Sequence, residues 1–81
     1  MYYILREFED RCEKKGIEFE SSEYFVNEGT KYEFRNYMSL VDAFVEYMKA
    51  VQDNPESKHF KVTLTANDHG HFLFIHLTDA E

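Results

Sequence analysis

The chain has 81 residues, 43% hydrophobic and 17% aromatic, and a formal charge of -7 from sixteen acidic and nine basic side chains. That length excludes two independently folding domains, and eight Phe with six Tyr supply enough burial to exclude disorder. The acidity disfavours direct binding to a nucleic-acid backbone, and no apolar run approaches the ~20 residues of a membrane span.

Apolar groups at Ile4, Leu5, Phe8 and Cys12 lie on one helical face and predict a helix over Tyr3 to Lys15. Lys14 and Lys15 suit its C-terminal dipole, and Gly16 suits a left-handed C-cap. From Ile17 the period becomes two, with Ile17 and Phe19 alternating with Glu18 and Glu20, before Tyr24, Phe25 and Val26 run together. If Phe19 and Val26 both face the core, an extra residue must be absorbed near Ser21, Ser22 and Glu23, as a β-bulge would do. Asn27, Glu28 and Gly29 predict a three-residue hairpin loop with Gly29 left-handed, leading into a strand over Thr30 to Tyr37 with Tyr32 and Phe34 on one face.

Ser39 and Asp42 have N-cap and capping-box character ahead of Leu40, Val41, Phe44, Val45, Met48 and Val51, the clearest helical stripe in the chain. That helix is expected to stop near Asn54, because Pro55 biases the residue before it away from helix. Phe60, Val62, Leu64 and Ala66 alternate with Lys61, Thr63 and Thr65, and the turn Asn67-Asp68-His69-Gly70 precedes an apolar strand over His71 to Leu77. Pairing Ala66 with His71, Leu64 with Leu73, Val62 with Ile75 and Phe60 with Leu77 gives one apolar face. The other face then carries Phe72, Phe74 and His76 beside Thr65, Thr63 and Lys61. The order helix, hairpin, helix, hairpin predicts an α+β two-layer sandwich, a single domain over 1–81 with two helices on one face of a four-stranded antiparallel sheet.

Phe72 and Phe74, on the face the helices leave open, are candidate protein-binding residues; the alternative is a central strand buried on both faces. The carboxylates Glu7, Asp10, Glu18, Glu20 and Glu23 are candidates for a patch that meets a basic protein surface or imitates DNA phosphates. Arg6, Arg11, Lys14 and Lys15 interleave with these acids, in pairs such as Glu7 with Arg11, which favours an ordinary solvated face. His69, His71 and His76 with Asp68 are metal-ligand types, but the register sends His71 and His76 to opposite faces, so neither metal nor cofactor is expected. Cys12 falls on the apolar stripe of the first helix and reads as a buried thiol rather than a nucleophile. The chain carries no Gly-rich phosphate loop, CxxC pair or GxSxG elbow.

A lone cysteine cannot form an intramolecular disulfide and so gives no sign of an oxidising compartment, and Arg6, Glu7, Glu9 and Asp10 interrupt any secretory apolar run, so the expectation is a soluble cytoplasmic protein. The expected function is that of a small acidic non-enzymatic module that inhibits or regulates a protein partner. By analogy of size and charge, this includes a phage or mobile-element anti-defence inhibitor, of anti-CRISPR or anti-restriction type, blocking a basic nucleic-acid-binding surface. Two alternatives stand beside it. One is a homodimer or larger assembly built through open sheet edges or through the Phe72 face, which would also relieve the narrow stability of so small a core. The other is a small enzyme with a site completed at a dimer interface by His71, His76 or Cys12.

Overall fold

In the computed structural model, which describes residues 3–26, 28–54 and 60–77, the first helix, α1, spans Tyr3–Lys14. Its end is a complete glycine cap: Ile17 N–H donates to the Cys12 carbonyl at 2.9 Å and Gly16 N–H to the Glu13 carbonyl at 3.1 Å, with Gly16 at φ +74. The chain then runs irregularly through Ile17 to Glu20, so the strand expected from Ile17 begins later, as β1 at Ser21–Phe25.

β1 pairs antiparallel with β2, Gly29–Phe34, in a register that sets Ser21 opposite Glu33 and Phe25 opposite Gly29. Glu20 N–H also donates to the Glu33 carbonyl, at 2.8 Å. Two successive residues, Glu20 and Ser21, therefore stand against one, which is the geometry of a β-bulge placed just ahead of the expected position. It turns Phe19 inward, against Tyr32 at 4.7 Å and Phe34 at 5.5 Å between ring centroids. Val26, expected in the core with Phe19, lies past the strand end and is 71% exposed. The hairpin connection lies between Phe25 and Gly29, one residue earlier than expected: Glu28 N–H donates to the Phe25 carbonyl at 3.0 Å, and Gly29, at φ +138, is the first residue of β2 rather than the last of the loop; Asn27 lies outside the described residues.

β2 ends at Phe34, short of the expected Tyr37, because the second helix, α2, already spans Tyr37–Asp53. Its N-cap is Asn36, whose side-chain oxygen accepts from Ser39 N–H at 2.8 Å. The expected cap, Ser39, is therefore the residue being capped; Tyr37 and Met38 extend the helix upstream but are exposed and add nothing to its apolar period. α2 stops at Asn54 as expected, with Pro55 outside the described residues.

β3, Phe60–Asn67, and β4, Gly70–Leu77, form the second hairpin in the expected register, from Phe60–Leu77 to Asn67–Gly70. The sheet order is β1-β2-β4-β3, all antiparallel, with β2 and β4 central. Both helices lie on one face, as the buried residues show: Ile4, Leu5, Phe8 and Cys12 from α1, Leu40, Ala43, Tyr47 and Ala50 from α2, Tyr32 and Phe34 from β2, Leu73 and Ile75 from β4. No helix among the described residues is long and apolar enough to cross a membrane.

Candidate functional site

Strand alternation divides every strand of this sheet between a helix side and an open side. Since Leu73 and Ile75 are wholly buried beneath the helices, Phe72, Phe74 and His76 of β4 must point to the open side, where no described element covers them. The register brings Lys31 and Glu33 of β2 to the same side, opposite Phe74 and Phe72. It adds Ser21, Glu23 and Phe25 from β1, and Lys61, Thr63 and Thr65 from β3.

The aromatic groups on this face form a continuous strip. Phe74 stacks on His76 at 4.1 Å between centroids and 14° between planes, and on Phe25 at 5.7 Å and 15°. Beside it the Lys31 ammonium sits 4.4 Å above the Phe72 ring, a cation–π contact, while the far edge of that ring lies where a side chain on residue 70 would stand, which Gly70 leaves vacant. Thr63 Oγ1 and His76 Nε2 are 3.0 Å apart, within hydrogen-bonding reach. The rings are thus held in place by their neighbours and remain half-buried, so a partner meeting them encounters a surface that is already ordered.

The expected carboxylates do not assemble into one patch. Glu23 stands on the open face as the cross-strand partner of Lys31. Glu20 lines a shallow hollow at the far end of the sheet with Arg35, Asp68 and His69. Glu18 and Asp10 border a groove between α1 and the Gly16–Phe19 segment with Glu9 and Glu13, a lining without a basic side chain. Glu7 is engaged in the seam between the helices, accepting from Arg11 Nε at 3.1 Å and from Asn54 Nδ2 at 3.0 Å. Arg11 also reaches Asp53 at 2.6 Å and the buried Glu46 at 4.0 Å. This α1–α2 ion network is structural, and its charges are spent within the fold.

His71 and His76 point to opposite faces of β4 and His69 sits in the turn, its backbone N–H donating to Asn67 Oδ1 at 2.7 Å. Among the described residues no group of three or more His, Cys, Asp or Glu side chains could hold a metal ion. Cys12 is fully buried, and desolvation, followed by the Glu46 and Glu9 carboxylates, pushes its thiol up from 9.0 to about 12. A thiol held protonated cannot act as a nucleophile near neutral pH.

Sequence reasoning placed Phe72, Phe74 and His76 on this face and missed Phe25 and Lys31. Phe25 sits in the run Tyr24-Phe25-Val26, whose phase depends on where the bulge falls; Lys31 reaches Phe72 only through the β2–β4 pairing, which no local pattern encodes. Compared with known proteins, the chain matches no family model, no curated sequence and no solved structure.

Proposed function

We propose that the chain is a non-catalytic protein-binding module that inhibits or regulates a partner by docking it on the open face of the sheet. The observation that carries this reading is the ordered aromatic strip Phe25–Phe74–His76, with Phe72 under Lys31, left uncovered by the helices. Aromatic rings interleaved with Lys31 and Glu33 of β2 and flanked by Glu23 of β1 and Lys61 of β3 have the makings of a binding hot spot, in which fixed rings exclude water and the charges select the partner. In its narrower form the partner is a defence protein with a basic nucleic-acid-binding surface; the net charge of the chain favours such a target.

Affinity capture from the native host with the wild-type chain and with Phe74→Ala tests the reading. Removing a central aromatic anchor costs about 2 kcal/mol or more of binding, so the bound partner is expected to fall by well over tenfold while the variant keeps its fold. A partner retained equally by the folded variant would move the interface off this face.

A further inference from the structure

β3 is an outer strand of the sheet, and its exposed edge is open to pairing. The two-residue loop between Asn67 and Gly70 closes on that pair, so Asn67, Thr65, Thr63 and Lys61 direct their backbone groups toward β4. By alternation Ala66, Leu64 and Val62 direct theirs away from the sheet, and none of the described residues pairs with them. Natural edges are usually blunted by proline, charge, a bulge or shortness. The other outer strand, β1, is five residues long, starts at a bulge and carries Glu23. β3 is eight residues long, has neither Pro nor Gly, and bears one charge, Lys61.

Its helix side is also incompletely covered. α1 sits over Tyr32 of β2 and over Phe19 in the segment ahead of β1, both packed on Phe8. α2 contacts β2 and β4 and turns Glu46 toward Arg11 of α1. Neither helix extends across the far strand, which leaves Leu64 40% exposed and Ala66 exposed, while Met48 on the outer flank of α2 is 39% exposed. Charge is sparse here, since Lys61 and Asp68 are the formal charges between Phe60 and Leu77.

We propose that two copies of the chain pair antiparallel along β3 about a two-fold axis at Leu64, merging their sheets into one continuous sheet. The strand is self-complementary in this register. Leu64 meets Leu64 and Val62 meets Ala66 on the helix side, Thr63 meets Thr65 on the open side, and Lys61 meets Asn67 rather than another lysine. The residues that exchange hydrogen bonds are those whose backbone groups point outward, and the copies approach through strands that each bear one charge, Lys61. The open faces remain free and become one surface with two aromatic strips.

The test combines sedimentation of the full chain, from micromolar to near-millimolar, with amide hydrogen exchange over the same range. The expected result is a mass rising toward twice 9.7 kDa, with Val62, Leu64 and Ala66 amides slowing at least about tenfold on concentration while Thr63 and Thr65 are protected throughout. Leu64→Lys, which places like charges on the axis, is expected to remain monomeric with an unchanged far-UV spectrum. A chain that stays at 9.7 kDa at every concentration overturns the proposal, as does a dimer whose Val62, Leu64 and Ala66 amides exchange freely. Should Leu64→Lys fail to fold, the wild-type exchange comparison decides alone.

Discussion

Three ionisable side chains buried in the seam between helices and sheet tie stability to alkaline pH. The Cys12 thiol is raised from 9.0 to about 12, chiefly by desolvation and then by Glu46 and Glu9. Tyr32, whose hydroxyl donates to Glu9 Oε2 at 2.6 Å, is raised by burial and by that carboxylate, and Tyr47 by burial. In each case the folded state holds the proton more tightly than the unfolded chain. Its stabilising contribution is therefore complete below the unfolded pKa and is lost as pH climbs toward the folded one. For Cys12 that window opens near 9.0 and closes near 12. Urea unfolding is expected to show a level midpoint from neutral pH to about 9, then a decline approaching ~1.4 kcal/mol per pH unit as the thiol of the unfolded state ionises. Cys12→Ala is expected to be less stable at neutral pH and to delay the decline until the tyrosines begin to titrate. An unchanged onset in that variant would assign the decline to other groups.

At the scale of elements, legibility followed how locally each feature is specified. The β3–β4 register was readable because strict alternation on both arms and a two-residue loop permit one pairing that keeps Val62, Leu73 and Ile75 on the same side. The α2 start was displaced because Asn36 and Ser39 are both cap residues three positions apart, and the choice between them rests on whether the exposed Tyr37 and Met38 join the helix. The bulge at Glu20–Ser21 leaves no mark of its own: its place is fixed by where Phe19 packs against Phe8, Tyr32 and Phe34. Gly29 follows the same division. Its positive φ was expected from the loop, but a Cβ there would also run into the Ile75 carbonyl oxygen of β4, a contact only the sheet order creates. Gly16 has a positive φ and open space around it. Gly16→Ala is therefore expected to cost about 1 kcal/mol, from backbone strain alone, and Gly29→Ala at least about 2 kcal/mol, from strain plus collision. Equal losses of thermal stability in the two variants would mean that β2 shifts to accommodate the methyl group.

For the whole molecule, the sheet order was not encoded by either hairpin alone, because joining β2 to β4 depends on contacts between residues some forty positions apart, such as Tyr32 with Leu73. The same folding step distributes the charge, gathering Glu9, Asp10, Glu13 and Glu18 around one groove and leaving β3 nearly neutral at the other side. The two proposed contacts respond to salt in opposite directions. A basic partner docked on a chain that carries -7 is held in part by attraction between unlike charges, which weakens as the screening length falls from about 8 Å at physiological ionic strength to about 3 Å at 1 M. Two copies meeting through β3 each carry -7, so screening relieves their long-range repulsion while the apolar and backbone pairing persists. Raising salt is accordingly expected to increase the partner's Kd and to decrease the Kd of self-association, both measurable by sedimentation on one preparation. A partner Kd indifferent to salt would leave the aromatic strip as its anchor and remove the electrostatic part of the attraction. Self-association that weakens with salt would instead mean that ion pairs, rather than the edge of β3, join the copies.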